Sequence, residues 1–386
     1  MDVLPMNFKI FQLFGLWSEV SPGYSDFSMA LRRVLTVGLI FHFTITQAIE
    51  LILNGGGVES LTEQLFLTTT FVSMCCKIVN FSFRRGEISK LLNYFREDLL
   101  KLDNLAEEKL LKKCRSRCRR IFVGIMCLSQ VTCFALLVKP FLVASDDDTP
   151  LLPFKTYQLY DTSSAIPYAA SYIIQATSVT ASVFLNVSCD TLVYGFMLQT
   201  SARLDTLSFR LAEHVDRCSA KRLGGINGPK EEAQRSLGSC VEHHVLIRNG
   251  VGKIETLFGG VIGILFATSL ITLCTTVYQI SKQDMPSVQF FALQLYLACM
   301  LFQTFFYCFY GNELQSKSRS IGDTVYKSDW IKFSPKEKKS LKLIILMSQR
   351  ELNVSCNGIF ILSLSTFMWI IKTSYSAFNL LQQIAN

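Results

Sequence analysis

The chain has 386 residues, of which 50% are hydrophobic and 18% are charged, and its formal net charge at pH 7 is +8. Its mean hydropathy of +0.32 excludes an ordinary soluble domain, because this much apolar surface needs lipid around it. Basic loops that face anionic membrane lipid explain the positive charge, so no nucleic-acid partner is expected.

Seven apolar segments are long enough to cross a bilayer, whose hydrocarbon core of about 30 Å takes roughly 20 residues of helix. In chain order they are residues 34–53, 65–83, 121–144, 166–185, 257–280, 288–311 and 359–381. The fifth and sixth contain no charged side chain over 24 residues each. The sequence therefore predicts an all-α membrane protein with seven transmembrane helices.

The distribution of positive charge predicts the orientation of these helices. Of the 38 Lys and Arg residues, 33 lie in four segments, residues 1–33, 84–120, 201–253 and 312–354. Only two lie in the segments on the other side of the membrane. Because short loops rich in Lys and Arg stay in the cytoplasm, we expect the N-terminus inside and the C-terminus outside.

This topology divides the chain into six regions. They are a cytoplasmic N-terminal segment (1–33), spans 1–4 with the pocket residues (34–200), a cytoplasmic extension (201–253), spans 5 and 6 (254–311), a cytoplasmic helical anchor region (312–358), and span 7 with a short outer tail (359–386).

Two local patterns refine the cytoplasmic regions. Ser334 and Pro335, with Glu337 three residues after the serine, indicate the start of a helix that runs to about Leu352. The glycine-rich segment Gly224–Pro229 predicts a flexible break.

The sequence contains no pattern typical of an enzyme. Its four His residues lack acidic or Cys partners at metal-ligand spacing, and Cys114 and Cys118 lack the second pair of ligands that a zinc site requires. Neither a Gly-rich phosphate loop nor a Gly-x-Ser-x-Gly motif is present. We expect no enzymatic activity, no metal and no cofactor.

Two segments near the C-terminus carry a specific resemblance. Tyr310–Leu352 reads YGNELQSKSRSIGDTVYKSDWIKFSPKEKKSLKLIILMSQREL, and Leu362–Gln383 reads LSLSTFMWIIKTSYSAFNLLQQ. Both are similar, in this order, to the signature of the insect odorant receptors. The resemblance implies olfaction: a ligand-specific subunit of an odorant-gated, non-selective cation channel, assembled as a heterotetramer with a shared co-receptor. It also implies a multi-pass protein of the plasma membrane of a sensory-neuron dendrite.

A small volatile ligand needs a mostly apolar cavity with aromatic walls and a few polar groups. The resemblance implies such a pocket in the outer halves of spans 2 to 6. The candidate odorant-binding residues at that depth are Phe66, Thr69, Thr70, Ser73, Cys133, Phe134, Leu137, Tyr168, Tyr172, Ile173, Ala176, Tyr278, Phe291 and Leu295.

Span 7 is the candidate pore helix, because it mixes apolar and hydrogen-bonding side chains and a hydrophobic constriction can gate by dewetting. Phe378, Leu381 and Gln382 share one face near its outer end, and the resemblance implies that this part lines the pore. The resemblance also implies that subunits meet at the cytoplasmic anchor, for which the candidates are Trp330, Phe333, Leu341 and Leu346.

Three other classes of membrane protein remain as alternatives. A G-protein-coupled receptor predicts the opposite orientation and Asp-Arg-Tyr-like and Asn-Pro-x-x-Tyr-like motifs, which the spans lack. A gustatory-receptor type of ligand-gated channel shares the architecture, although Lys372–Phe378 is closer to the odorant receptors. A multispan transporter is weakened because no half of the sequence is repeated.

Overall fold

The structure is a computed structural model of the chain. It describes residues 4–18, 25–99, 105–142, 152–158, 160–161, 164–223, 230–283, 287–327, 330 and 333–385. The predicted break at Gly224–Pro229 lies outside these residues.

The described residues form helices and one small hairpin. In chain order the elements are α1 (Pro5–Leu13), α2 (Ser25–Asn54), α3 (Val58–Phe83), α4 (Arg85–Leu99), α5 (Leu105–Leu142), α6 (Ala165–Leu223), α7 (Lys230–Lys282), α8 (Val288–Tyr326), α9 (Pro335–Gln349), β1 (Ser355–Cys356), β2 (Phe360–Ile361) and α10 (Leu364–Ala385).

Six described helices, α2, α3, α5, α6, α7 and α8, are long and apolar enough to cross a membrane. Helix α10 has 22 residues, contains Lys372, Asn379 and Gln382, and corresponds to the seventh predicted span, although it is not one of those six. The helical fold is therefore that of a multi-pass membrane protein, as the apolar segments predicted.

Several helices continue far beyond a bilayer. Helix α6 has 59 residues and α7 has 53, which at 1.5 Å per residue gives lengths of about 90 and 80 Å. Their extensions, together with α4, α9 and the hairpin, form one end of the bundle, which we call the anchor end. The opposite end carries the described loop residues 152–158, and we call it the loop end.

Helix α6 lies at the centre of the bundle. It contacts α1, α2, α3, α5, α7 and α8, and 78% of its most apolar stretch is buried. Its largest buried side chains include Tyr194 and Phe196, so the interior is formed by this helix and the helices around it.

The chain between α9 and α10 forms a feature that hydropathy did not predict. Strands β1 and β2 pair antiparallel, and both Asn357 and Gly358 in the connecting turn have positive φ, a conformation that Asn and Gly adopt most readily. The apolar residues from Ile359 to Leu362 therefore belong to the hairpin and its exit. The last span begins at Leu364, five residues later than the predicted start at Ile359, because hydropathy cannot distinguish an apolar hairpin from the first turn of a helix.

Helix α9 begins as its sequence predicted. The Ser334 hydroxyl accepts a hydrogen bond from the backbone N–H of Glu337, while the Glu337 carboxylate accepts one from the Ser334 backbone. This reciprocal pair satisfies N–H groups that no helical partner reaches. The helix ends at Gln349, three residues before the predicted end at Leu352.

Candidate functional site

A cavity lies between α3, α5, α6 and α8 in the interior of the bundle. Its volume is about 80 Å³, and no charged side chain lines it. Apolar side chains such as Leu67, Met74, Val183 and Met300 form most of its wall. Small polar side chains complete the wall, and they are Thr70, Ser129, Thr132, Cys133, Ser182, Asn186, Tyr296 and Cys299.

The side of the cavity nearer the loop end is closed by hydrogen bonds between α3 and α8. The Tyr296 hydroxyl donates to the Phe66 carbonyl at 3.0 Å and lies 2.5 Å from the Thr70 hydroxyl. The Tyr296 and Phe66 rings meet edge to face with centroids 5.1 Å apart. These contacts hold the two helices together above the cavity.

A buried ion pair lies one helical turn below the cavity, on the side of the anchor end. The Lys77 ammonium donates to Asp190 Oδ1 at 2.6 Å, and the two side chains are 3% and 4% exposed. Lys77 also donates to Asn186 Oδ1 at 2.6 Å. We call Lys77, Asn186 and Asp190, with Gln303 and Tyr307, the polar floor.

Helix α8 completes the polar floor. Gln303 Nε2 donates to Asp190 Oδ2 at 2.6 Å, and the Tyr307 hydroxyl donates to Asp190 Oδ1 at 2.8 Å. A buried charge is tolerated only when it is paired and its hydrogen-bonding capacity is used. The polar floor meets that requirement and joins α3, α6 and α8.

A second and larger cavity of about 560 Å³ lies at the loop end. Leu67 and Leu136 line both cavities. Phe154 and Thr156 form part of its wall, and Lys155 pairs with Glu63 at 2.7 Å beside it. We call this space the vestibule, because it lies between the inner cavity and the loop end.

Two of the predicted odorant-binding residues, Thr70 and Cys133, line the inner cavity. Phe66 lines the vestibule. Thr69 instead faces α7, where its hydroxyl lies 2.9 Å from that of Thr272. Ser73 is buried but lines neither cavity.

The other candidates lie away from the inner cavity. Phe134, Ile173 and Phe291 are 69%, 62% and 57% exposed, so they face outward from the bundle. Tyr278 is buried on α7, a helix that does not border the cavity. The remaining candidates, Leu137, Tyr168, Tyr172, Ala176 and Leu295, are half-buried and do not line the cavity either.

Tyr172 and Leu137 contact each other nearer the loop end. The Tyr172 hydroxyl donates to the Leu137 carbonyl at 3.0 Å, and the Tyr172 ring packs against those of Phe141 and Tyr168. These residues form an aromatic contact between α5 and α6, outside the cavity wall.

Sequence reasoning missed most of the cavity wall for two reasons. On α6 the candidates were residues 168–176, whereas Val179–Val187 border the cavity, about 16 Å deeper at 1.5 Å per residue. On α8 the candidates were Phe291 and Leu295, whereas Tyr296 lines the cavity, because one residue rotates a helix by about 100°. A usable signal was present in Ser129, Thr132 and Cys133, which bring small polar groups to one face of an apolar helix.

The pore candidates lie on the outer part of α10. Phe378 and Leu381 are half-buried and Gln382 is exposed. Helix α10 packs against α7 and α8, and the Phe367 ring meets that of Phe305 on α8 with centroids 5.5 Å apart. One side of α10 therefore packs against α7 and α8, and the other side is uncovered in a single chain.

The anchor candidates divide into two groups. Phe333 and Leu341 are buried within the chain, and the Phe333 ring stacks on His214 with centroids 6.3 Å apart. Trp330 is half-buried, whereas Leu346 is 64% exposed. Phe333 and Leu341 thus have an intrachain packing role, and Leu346 presents apolar surface outward.

No group of three His, Cys, Asp or Glu side chains in the described part of the chain could hold a metal ion. The geometry is instead that of a binding site for a small uncharged molecule, because its wall is apolar with a few hydroxyl, thiol and amide groups.

Comparison with known proteins points to one family. Residues 57–375 match the family model described as 7tm Odorant receptor. Odorant receptor 46a, isoform A, of Drosophila melanogaster is 21% identical, covering 96% of this chain and 95% of its own. The odorant receptor coreceptor of Aedes aegypti is 22% identical over 100% of this chain and 97% of its own.

A solved structure has the same fold. The insect olfactory receptor OR5 from Machilis hrabei, in complex with eugenol, superposes with a TM-score of 0.85 at 18% sequence identity. The match covers 99% of this chain and 97% of that one. The described helices therefore have the arrangement of an insect olfactory receptor.

Proposed function

Since the chain belongs to the insect odorant receptor family, we propose that it is the ligand-binding subunit of an odorant-gated, non-selective cation channel, formed as a heterotetramer with the shared co-receptor. The inner cavity is the observation that carries this proposal. It lies between four helices, is apolar on most of its wall and has no charged lining residue. Together with the vestibule of about 560 Å³, which shares Leu67 and Leu136 with it, it offers the space and the chemistry that a small volatile molecule needs. The vestibule provides the approach from the loop end.

Helix α8 connects the cavity to the pore helix. Tyr296 and Met300 line the cavity. About one and a half turns beyond Met300 on α8, the Phe305 ring packs against Phe367 of α10. At Gly311, α8 approaches the chain just before α10 so closely that a Cβ on residue 311 would overlap Leu362. A ligand that binds the open arrangement more tightly than the closed one shifts α8, and with it α10, toward the open state.

The pore forms where the uncovered faces of α10 from four subunits meet around one axis. The candidate lining residues are Gln382, which is exposed, and Phe378 and Leu381, which are half-buried at the margin of the packed side, and apolar rings of this kind gate by dewetting. The exposed apolar side chains of α9 and the hairpin, Leu346 and Ile359 among them, supply the contact between subunits at the anchor end.

The anchor end lies in the cytoplasm, and the loop end faces outward at the plasma membrane. This orientation rests on the excess of Lys and Arg in the segments that the anchor end carries. It places the vestibule where an odorant arrives and distinguishes the chain from a G-protein-coupled receptor, whose N-terminus is outside.

The proposal is tested by recording current from cells that express the chain with and without the co-receptor during an odorant panel. We expect an odorant-evoked cation current that requires both chains and persists when G-protein signalling is blocked. A current that depends on G-protein signalling would contradict the channel.

A pair of substitutions on α6 tests the cavity itself. Val183→Trp fills the cavity that Val183 lines and should abolish the response to every odorant while the protein still reaches the surface. Ile173→Trp is the matched control, because Ile173 is 62% exposed on the same helix. The cavity assignment fails if Val183→Trp responds normally or if Ile173→Trp loses the response equally.

A further inference from the structure

The polar groups that line the inner cavity differ in whether their hydrogen-bonding protons already have an acceptor within the protein. Thr132 donates to the Leu128 carbonyl at 2.9 Å, and Ser182 donates to the Ser178 carbonyl at 2.7 Å. Such bonds to the preceding turn leave the hydroxyl proton unavailable to a ligand, although the oxygen can still accept.

The remaining hydroxyl and thiol groups are also occupied. The Tyr296 hydroxyl donates to the Phe66 carbonyl. The Thr70 hydroxyl lies within hydrogen-bond distance of two acceptors, the Phe66 carbonyl and the Tyr296 hydroxyl. The Cys299 thiol lies 3.3 Å from Thr132 Oγ1 and also pairs with Ser129, and the Cys133 thiol lies 3.9 Å from the Thr180 hydroxyl. Each of these protons has an acceptor within the protein.

Asn186 is different. Its Oδ1 lies 2.6 Å from the Lys77 ammonium, and because an ammonium group only donates, the atom facing Lys77 must be the amide oxygen. The orientation of the amide is therefore set by charge. Its Nδ2 group has no hydrogen-bond partner among the described residues, and Asn186 lines the cavity.

The electrostatics of the polar floor decide what this amide can bind. The Lys77 charge is neutralised by Asp190 at 2.6 Å, so the cavity has no unpaired charge in its wall. Lys77 also polarises the Asn186 amide by holding its oxygen, which strengthens the N–H groups as donors. The preferred partner is an uncharged acceptor.

We infer that Asn186 Nδ2 is a specificity-determining donor that selects, among molecules that fit the cavity, those with a carbonyl oxygen at the end that reaches the polar floor. The inference rests on the proposed function and adds a ligand class to it. A hydrocarbon of the same shape fills the same space but leaves the amide without an acceptor. One neutral hydrogen bond corresponds to a roughly 3- to 10-fold difference in potency.

Three matched pairs of odorants provide the probes. They are acetophenone with isopropylbenzene, benzaldehyde with styrene, and 2-heptanone with 2-methylheptane. Concentration–response curves are recorded from cells that express the full chain with the co-receptor, and the measured quantity is the potency ratio of each carbonyl compound to its hydrocarbon partner. We expect ratios of roughly 3 to 10 for the unmodified chain.

Two substitutions remove the donor in different ways. Asn186→Asp keeps an oxygen beside Lys77 but has no N–H groups. Asn186→Leu removes the oxygen and the N–H groups while keeping a side chain of similar size and adding no charge. Both should bring the ratios below about 2, while the hydrocarbon potencies report that the cavity is intact. Thr177→Val is the control on the same helix, since the Thr177 hydroxyl lies outside the cavity wall and already donates to the Ile173 carbonyl at 2.6 Å, and this variant should leave the ratios unchanged.

The outcomes separate this inference from the proposed function. Ratios near 1 in the unmodified chain, ratios that persist in both Asn186 variants, or no response to any carbonyl compound at the surface would overturn the carbonyl preference. If Val183→Trp abolishes all responses in that experiment, the cavity remains the ligand site and only the role of Asn186 is lost. If Val183→Trp responds normally, the proposed cavity itself fails.

Discussion

The inner cavity and the uncovered face of α10 differ in how completely the side chains of a single subunit surround them. The cavity and its polar floor are closed by side chains of the same subunit, with Lys77, Asp190 and Tyr307 all partnered inside the bundle. Helix α10 instead presents Tyr375 and Leu380, which are 62% and 60% exposed. In the proposed function, ligand binding is therefore built into a single chain, whereas the pore needs several.

This difference separates two kinds of substitution. Substitutions in the cavity and polar floor should change the stability of the subunit and its ligand recognition, whether or not it is assembled with other subunits. Changes on α9, α10 and the hairpin should act on gating or assembly while leaving the subunit folded.

The largest effect should come from breaking the polar floor. Asp190→Leu leaves the Lys77 ammonium buried without its carboxylate, and removing one partner of a buried ion pair costs about 3–5 kcal/mol. We expect little folded protein at the cell surface, measured by surface labelling and by the yield of monodisperse protein in detergent.

Two further variants serve as controls for Asp190→Leu. The double change Lys77→Met with Asp190→Leu should restore much of the yield, because apolar side chains replace the pair. Glu63→Gln breaks the exposed pair with Lys155, which is worth about 0–1 kcal/mol, and should change little. Equal losses in Asp190→Leu and Glu63→Gln would refute the importance assigned to burial.

An intermediate effect is expected where α8 meets the start of α10. A Cβ on Gly311 would overlap the side chain and carbonyl oxygen of Leu362, and overpacking costs about 1–3 kcal/mol. Gly311→Ala should therefore reduce the maximal odorant-evoked current while the concentration for half-maximal response changes less.

The matched control for Gly311 is Gly124→Ala on α5, since no atom lies within 4 Å of the Cβ it would add. We expect normal currents from this variant. If Gly311→Ala abolishes ligand recognition and leaves maximal current intact, the separation between cavity and pore helix does not hold.

The smallest effect on the subunit itself should come from the anchor end. Leu346 is 64% exposed, so Leu346→Asp should change the stability of the chain by no more than about 0.5 kcal/mol. Co-purification with the co-receptor should nevertheless fall, because a charge would replace the apolar side chain that the proposed function places between subunits. Lys339→Asp, an exposed position on the same helix, is the control for charge reversal, and an equal loss there would argue against a specific contact at Leu346.

The helical fold was readable from the sequence because apolar length reports directly on membrane crossing. The start of α9 was also predicted, since Ser334 and Glu337 act within one helical turn. The hairpin at Ser355–Ile361 was missed, although Asn357 and Gly358 are typical turn residues, because the apolar residues after them were assigned to the last span.

The cavity was only partly predicted. Thr70 and Cys133 were identified from depth and chemistry, and both line it. Asn186 and Tyr296 were not, because the rotation of each helix about its own axis depends on its neighbours and is not encoded in hydropathy. In a membrane span the lipid-facing and interior-facing sides are both apolar, so the amphipathic pattern that orients a helix in a soluble protein is weak.

The sequence by itself determined that this chain is a bundle of membrane-crossing helices and, through two C-terminal segments, indicated its family, because these properties depend on local composition and order along the chain. Only the tertiary structure decided which side chains share a space. Lys77, Asn186 and Asp190 are brought together from α3 and α6 across more than 100 positions of sequence. Their meeting depends on how helices pack and rotate, which is a property of the whole bundle.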